Sequence, residues 1–410
     1  MDRKLRDWST LPVDLLAVIA GGLKTPSDKL RFGAVCKKFL LAICFHKNRP
    51  SFKALRIPVP APASKKDIKP PERCFQGYLV LTESVFYAIE PLPTRTPDRN
   101  VSTFIIRLEK SSLTGRMKVK EPLSRFRFRQ LARSLPKTLN LMDFQVHELH
   151  ESYGLDFFVV RKRKDRYMNY DQMESSSSFH KVVVATCLDK HYRDFAVMAT
   201  QGFGELSLWR IGEPEWISIY ELSKRSFSGV DVVYHKHRFY AIDVRGFAIS
   251  IDHRTSKISY AANEFYEPIP GLKYLVSSLD NLFLVVKTHL PFREELGYGI
   301  CMSVYVLDEV NHAWLYVEGG LDDRIFFVGD DCSFSVSAED FPELRSNSVY
   351  FNDDEFAEAS EAHPGWYPGI YDVKYEMIGP ISGFPRHSKL FWPPPNWLAR
   401  IPAASAGAKC

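Results

Sequence analysis

A phenylalanine-bearing apolar run returns along the chain at nearly constant spacing, and this repeat limits the folds that the chain can adopt. The copies read LDFFVV, RDFAVMA, HRFYAID, NLFLVVK and DRIFFVG. Their anchors are Phe157, Phe195, Phe239, Phe283 and Phe326, which are 38, 44, 44 and 43 residues apart. Each run is short and apolar and lies near turn residues, which is typical of a buried strand. A period near 43 residues favours the four-stranded blade of a β-propeller.

The repeat leaves two points open. It carries neither a repeated WD dipeptide nor the double glycine of kelch repeats, so a two-sheet sandwich remains the alternative to a propeller. Five copies are visible, and residues 79–133 have room for more, so the number of blades cannot be read from the sequence.

The composition is that of an ordinary globular chain. Of 410 residues, 45% are hydrophobic and 25% are charged, which is enough for one large domain and a small one. The net charge of +5 does not by itself indicate binding to nucleic acid or to a membrane, and no apolar run approaches membrane-spanning length. The 7 cysteines include no CxxC pair, so we expect reduced thiols in the nucleus, the cytoplasm or both.

A short helical unit precedes the repeat. Apolar residues recur every four positions at Leu11, Leu15, Ile19 and Leu23, which predicts one stripe of a helix. A second helix is expected after a cap at Ser27 or Asp28, and a third over the apolar positions that follow. Three short helices bury too little surface to be stable alone. The unit is therefore either a cap on the main domain or a module that a partner completes.

The N-terminal unit resembles an F-box over residues 8–48. The matching positions are Leu11, Pro12, Asp14, Leu15, Ile19, Leu23, Arg31, Val35, Cys36, Lys37 and Phe39. Phe39 stands where the family most often has tryptophan. The resemblance implies a three-helix module that binds a Skp-type adaptor. The adaptor-binding residues that it implies are Leu11, Pro12, Leu15, Ile19, Val35, Cys36 and Phe39.

The C-terminal part resembles the KIB-type β-propeller domain of plant F-box proteins. The matching segments are DVVYHKHRFYAIDVRGFAISID (231–252), YLVSSLDNLFLVVK (274–287), VYVLDEVNHAW (304–314), FFVGDDCSFSVSA (326–338), NSVYFNDD (347–354) and FWPPPNW near the end. We therefore expect a small all-α F-box followed by a large all-β domain, a propeller. The expected boundaries are a tail at 1–7, the F-box at 8–48, a proline- and lysine-rich linker at 49–74, the propeller at 75–398 and a second tail at 399–410.

No sequence motif of an enzyme is present. The chain lacks an HExxH zinc motif, a Walker A loop and a GxSxG elbow. HELH (147–150) and HKH (235–237) could each place two imidazoles on one face, but neither has a third ligand at useful spacing. HKH also lies where the repeat predicts a hairpin turn. Acidic pairs at 322–323, 330–331 and 353–354 are interpreted as solvated caps of turns. We expect no catalytic residue, metal or cofactor.

Basic residues are concentrated in two places. Residues 107–137 are rich in lysine and arginine, and their RFRFR segment is interpreted as an edge strand with phenylalanine inward and arginine outward. A groove for nucleic acid is the alternative, but nucleic acid is not the expected partner. RKRKDR (161–166) is either a hairpin turn or a nuclear import signal.

The two resemblances together imply a substrate receptor of an SCF-type cullin-RING ubiquitin ligase. The F-box would bind the adaptor and the propeller would bind a target protein of unknown identity. Asp353, Asp354, Trp366 and Tyr367 are the candidate target-binding residues, because carboxylates beside aromatic rings can attract and then anchor a basic surface. Two alternatives remain: a propeller hydrolase with a site in its channel, and a nuclear scaffold or nucleic-acid binder outside any ligase.

Overall fold

The computed structural model consists of a small helical unit and a large ring of β-sheets. It describes residues 11–23, 28, 31–33, 35–39, 55–60, 77–92, 103–111, 115–125, 127–139, 143–160, 167–169, 179–185, 195–202, 204–219, 227, 229–265, 269–290, 299–357 and 367–398. The expected large all-β domain is confirmed. In the N-terminal unit, the described residues give bounds for one helix, α1 (Val13–Gly22), so the three-helix arrangement stays a prediction. No described helix is long and apolar enough to cross a membrane.

The first two blades share one hydrogen-bonded sheet. Blade 1 comprises β1 (Gly77–Pro91), β2 (Phe104–Lys110), β3 (Met117–Lys120) and β4 (Phe144–Val160), with β5 (Tyr167–Asn169) paired to β4. Blade 2 comprises β6 (Phe179–Ala185), β7 (Ala196–Gln201), β8 (Glu205–Arg210) and β9 (Ile217–Ser218). A pairing of Tyr153 with Val182 joins β4 to β6. Helix α2 (Arg129–Ser134) lies between β3 and β4 in the chain.

Blades 3 and 4 are regular four-stranded antiparallel sheets. Blade 3 comprises β10 (Gly229–His235), β11 (Arg238–Asp243), β12 (Ala248–Asp252) and β13 (Ile258–Ala262). Blade 4 comprises β14 (Leu272–Ser278), β15 (Asn281–His289), β16 (Ile300–Asp308) and β17 (Ala313–Tyr316). β11 is buried from Phe239 onward, and β15 is buried over most of its central residues, because a neighbouring blade covers each face.

Blade 5 departs from this order. It comprises β18 (Arg324–Val328), β19 (Ser333–Ser337), β20 (Ser348–Asn352), β21 (Pro368–Asp372) and β22 (Met377–Pro380), in the spatial order β19-β18-β20-β21-β22. β18 and β20 are parallel, with Phe326 opposite Val349. Along the chain, β18 and β19 therefore come first and form the inner hairpin of the blade. The connection after β19 then crosses over, and β20, β21 and β22 form the outer three strands.

Apolar clusters between successive blades close the ring. One cluster packs blade 1 on blade 2, and others join blades 2 and 3, 3 and 4, and 4 and 5. A further cluster joins blade 5 back to blade 1 through Phe86, Phe104, Phe327 and Tyr350. The C-terminal segment belongs to this closing cluster, since Phe391 is buried in it and the Leu390 carbonyl accepts a hydrogen bond from the Ile105 N–H at 2.8 Å.

The phenylalanine repeat marks the second strand of most blades. Phe239, Phe283 and Phe326 lie on the second strand from the axis in blades 3, 4 and 5, and Phe195 directly precedes that strand in blade 2. Phe157 breaks the pattern because it lies on β4, the innermost strand of blade 1. The period therefore reports blade size correctly, but its first copy is not equivalent to the others.

The register explains why two of these rings differ in burial. Phe239 lies one pair from its hairpin turn, opposite Tyr234, whereas Phe283 lies two pairs from its turn, opposite Val276. Because side chains alternate along a strand, Phe283 faces blade 5 and is only half-buried, and Leu282 occupies the position equivalent to Phe239.

The expected linker is partly a component of the ring. Ile57 is fully buried and exchanges two backbone hydrogen bonds with Leu79. The Trp216 indole N–H donates to the Pro58 carbonyl at 2.6 Å. Residues 55–60 therefore pack on blades 1 and 2, and the expectation that 49–74 is a linker throughout is wrong for this stretch.

Buried ion pairs connect different blades. Lys181 Nζ on β6 lies 2.5 Å from Asp231 on β10. Lys287 Nζ on β15 lies 2.6 Å from Asp353, which follows β20. Arg107 on β2 pairs with Asp331 in blade 5. Since charged side chains are rarely buried unless they are paired, these contacts fix which blade can adjoin which.

Candidate functional site

A small apolar cluster holds the N-terminal unit together. α1 begins directly after Pro12, whose carbonyl accepts the first helical hydrogen bond from the Leu16 N–H at 3.1 Å. Leu16 is fully buried and packs against Phe39. The rings of Phe32 and Phe39 are 4.5 Å apart. The inner side of α1 therefore packs on the segments that follow it in the chain.

The outer side of α1 carries apolar residues that no described residue covers. Leu15, Val18 and Ile19 are exposed, with Val18 at 71%. Val35 adds a fourth exposed apolar side chain, at 63%. We call these four residues the outer face. Several exposed apolar residues on one small unit are typical of a protein–protein interface.

The predicted adaptor-binding residues fall into two groups. Leu15, Ile19 and Val35 lie on the outer face, and Pro12 is also exposed. Leu11 and Cys36 are half-buried in the internal cluster, and Phe39 is almost fully buried there. The expectation that Phe39 inserts into a partner is therefore wrong for this structure, because its ring already fills the unit's own core. Val18 was missed, although its place three residues after Leu15 is a helical signal.

The predicted target-binding carboxylates have different surroundings. Asp353 is buried, and His289 Nε2 lies 2.9 and 3.1 Å from its two oxygens in addition to the Lys287 pair. Burial raises the pKa of Asp353, but Lys287 and the other donors more than offset this, so the pKa is lowered overall. The interpretation of Asp353 as a solvated carboxylate is therefore wrong.

The other predicted target-binding residues cannot be treated as one patch. Asp354 is exposed and begins a short 3-10 turn, Asp354–Phe356. Tyr367 is half-buried, and its N–H donates to the Asn352 side chain at 2.5 Å. Trp366 lies outside the described residues. Their role in target binding stays a prediction.

The innermost strands surround a cavity of about 310 Å³ at the axis of the ring. Its lining includes His150, Ser152, Lys181, Cys332 and Ser333, which come from blades 1, 2 and 5. Burial, reinforced by the positive charges of Arg107 and Lys181, lowers the pKa of His150 to about 3. Burial raises the pKa of the Cys332 thiol to about 12. Near neutral pH the cavity therefore presents a neutral imidazole and a protonated thiol.

The histidine motifs do not form a metal site within the described chain. HELH lies on β4, where the His150 ring stacks on Phe334 and the His147 ring contacts Phe341. HKH forms the expected hairpin turn, with Lys236 and His237 at positive φ. No group of three His, Cys, Asp or Glu side chains among the described residues could hold a metal ion.

The basic segment is more deeply structured than expected. Arg107 is 1% exposed, because its guanidinium lies inside the ring and donates a hydrogen bond to the Ser124 carbonyl. Phe128 is buried and Arg125 is exposed, as the inward–outward pattern predicts. The described part of the segment, however, makes only one isolated β-bridge, between Lys120 and Arg127, before α2 begins. The expected edge strand is therefore absent from the described part of this segment. RKRKDR lies outside the described residues.

Comparisons with known proteins agree with the architecture. The model of the KIB1-4 β-propeller family matches residues 59–372. F-box protein SKIP23 of Arabidopsis thaliana is 26% identical over 414 residues, which cover 96% of this chain and 95% of the relative. F-box protein At2g17036 of the same plant is also 26% identical, covering 96% and 95%.

Solved structures are much more distant. Apo AztD from Citrobacter koseri has a TM-score of 0.27 at 10% identity, covering 59% of this chain and 73% of that one. This score is too low to support an argument about function. The family match spans most of the chain, and the Arabidopsis relatives match it nearly from end to end, so the predicted resemblance is confirmed: the chain belongs to the KIB1-4 β-propeller family and its relatives are plant F-box proteins.

Proposed function

We propose that this chain is the substrate receptor of an SCF-type cullin-RING ubiquitin ligase. In this proposal the outer face of the N-terminal unit binds a Skp-type adaptor, and the propeller holds a target protein. The F-box names of the relatives support the general role. The observation that carries it is the outer face itself, because four apolar side chains of one small unit are left without cover by the described chain.

The proposed role requires no bond chemistry from this chain. A receptor that holds a target beside a ubiquitin-loaded conjugating enzyme makes the transfer effectively intramolecular, and the gain in rate comes from proximity. The structure suits this role because the ring completes its own cores through inter-blade clusters. The apolar outer face is therefore available for a partner rather than needed by the ring.

A pull-down with purified Skp-type adaptor tests the proposal. Val18→Asp and Val35→Asp each place a carboxylate in the proposed interface, so we expect each to abolish adaptor binding. Truncation of a central apolar anchor typically costs about 2 kcal/mol or more, and a buried unpaired charge costs more. Both side chains are exposed, so the melting of the propeller should not change.

The matched control is Val244→Asp, an exposed valine in a turn of blade 3, which should leave adaptor binding intact. The pair Leu11→Ala and Pro12→Ala should also abolish binding, but Leu11 contributes to the internal cluster, so these changes test the unit as well as the interface. Full adaptor binding by both Val18→Asp and Val35→Asp would refute the assignment.

A further inference from the structure

Two exposed apolar residues stand at the tips of neighbouring turns in blade 4. Leu279, in the β14–β15 turn, is 75% exposed, and Val310, in the β16–β17 turn, is 86% exposed. The four strands are antiparallel neighbours in sequence order. The first and third turns therefore lie at the same end of the sheet, and the two apolar tips share one face of the ring, which we call the turn face.

The backbone at Leu279 shows that the fold does not require this side chain. Leu279 has φ = 51°, in the left-handed region that is costly for a bulky residue and open to glycine or asparagine. The equivalent turn of blade 3 has polar residues, Lys236 and His237, at positive φ. Leucine at this position therefore opposes local backbone preference, and its side chain is exposed rather than packed.

Contacts between blades locate the two tips on a continuous surface. Lys236 Nζ lies 3.0 Å from Glu309 Oε1, so the first turn of blade 3 reaches the third turn of blade 4. Ser278 Oγ lies 2.8 Å from Ser335 Oγ on β19, so the first turn of blade 4 also adjoins blade 5. Leu279 therefore lies between Val310 on one side and the end of β19 on the other.

The surroundings of these tips in blades 4 and 5 are acidic. The carboxylates are Asp280, Asp308 and Glu309 in blade 4, and Asp323, Glu339 and Asp340 in blade 5. The cations at the same end of the sheets are Lys236, Arg324, Arg345 and Lys374, so the six carboxylates remain in excess. The turns of blade 3 carry Arg254 and Lys257, so the negative part of the turn face begins at blade 4.

We propose that the turn face of blades 4 and 5 docks a basic segment of a partner protein, with one apolar side chain of that segment packed between Leu279 and Val310. The proposal rests on the proposed function in one respect, namely that the partner is the ubiquitination target. Exposed apolar tips supply the anchor, and the excess of carboxylates selects and attracts the basic segment.

This surface lies far from the candidate that the sequence had indicated. Arg324, the first residue of β18, donates a hydrogen bond to Ser278 at 3.1 Å, so β18 begins at the turn face. β20 runs parallel to β18 and therefore also begins there. Asp353 and Asp354 follow the opposite end of β20 and therefore lie at the other end of the sheet.

Fluorescence anisotropy with the full chain and labelled synthetic peptides tests the proposal. The probe is a pool of 12-residue peptides with lysine or arginine at five positions around a central leucine or phenylalanine. The comparison pools replace the basic residues by glutamate or the central residue by serine. We expect only the basic pool with an apolar centre to bind, and its affinity to fall as salt is raised.

Leu279→Gly separates recognition from folding. Because glycine adopts positive φ without strain, this variant should raise the melting temperature while it weakens peptide binding by about tenfold or more. Val310→Ser should weaken binding to a similar degree. The matched control is Leu272→Ser, which removes an exposed leucine at the far end of β14 and should leave binding unchanged.

Three results would overturn the proposal: no binding of the basic pool, full binding by both Leu279→Gly and Val310→Ser, or an equal loss in Leu272→Ser. Adaptor binding, measured in parallel, identifies which proposal has failed. If the unaltered chain binds peptide but no adaptor, the ligase role fails and the docking surface stands. If it binds adaptor but no basic peptide, the docking surface fails alone.

Discussion

Removal of one partner from the Arg107–Asp331 pair should destabilise the whole ring. Arg107 Nη1 and Nη2 lie 2.7 and 2.8 Å from the two oxygens of Asp331, and the guanidinium also donates to the Ser124 carbonyl and the Ser152 hydroxyl, each at 3.1 Å. Asp331→Asn keeps the volume but leaves the guanidinium charge uncompensated. Breaking a buried pair in this way typically costs about 3–5 kcal/mol.

This loss is large compared with the stability of an ordinary domain, about 5–15 kcal/mol. With an unfolding entropy of about 2.1 cal/mol/K per residue, a domain of about 320 residues shifts by about 1.5 °C per kcal/mol, so the melting temperature should fall by roughly 4–7 °C. Urea unfolding, followed by tryptophan fluorescence, measures the change in free energy directly. Arg107→Met with Asp331→Leu should recover most of the loss, because a well-packed apolar pair avoids the cost of burying charge.

The exposed pair Lys236–Glu309 provides the control. Lys236→Met removes an ion pair of similar length at the surface and should change the free energy of unfolding by at most about 1 kcal/mol. If Asp331→Asn costs no more than this control, the reasoning from burial is wrong.

The same pair predicts how stability changes with pH. Burial raises the pKa of Asp331, but Arg107 more than offsets it, so the folded-state pKa lies below the ordinary value. A carboxyl with a depressed folded-state pKa stabilises the fold fully above its unfolded pKa of about 3.9 and loses that contribution as pH falls through the folded value. Asp331→Asn should therefore flatten the acid limb of the stability profile, as measured by urea unfolding between neutral and strongly acidic pH.

Two further predictions concern the ring. Phe239→Ala should cost about 3–5 kcal/mol in urea unfolding, whereas Phe283→Ala should cost clearly less because its ring is half-buried; equal losses would contradict the register described above. Deletion from Phe391 onward removes part of the cluster that joins blades 5 and 1, so it should lower the melting temperature of the entire propeller. A truncated chain that melts like the intact one would show that the segment does not contribute to closure.

The features that sequence predicted well are periodic and local. The spacing of the phenylalanine runs reports blade size because blades 3, 4 and 5 each have an apolar, largely buried second strand. Similarly, HKH was predicted as a turn from its place in the repeat, and Lys236 and His237 have the φ values that such a hairpin needs.

The features that sequence missed depend on contacts between distant residues. Asp353 looked like a solvated carboxylate because other acids surround it in the sequence, but its partner Lys287 lies on another blade. Phe283 and Leu282 are adjacent in one apolar run, and only the pairing register decides which of them faces which neighbour. The crossover that places β20 beside β18 also leaves no local signal in the sequence.

The inter-blade ion pairs also limit how this ring could be rearranged by duplication or recombination. If blade 3 were duplicated, Asp231 of one copy would adjoin a blade that lacks Lys181. If blade 4 were moved, the Leu275 N–H, which donates to Asp231 at 2.6 Å, would lose its acceptor. An unpaired buried carboxylate is costly, so inserted or reordered blades would need compensating changes in their neighbours. We therefore expect blade number and blade order to change less readily among related chains than the exposed turns do.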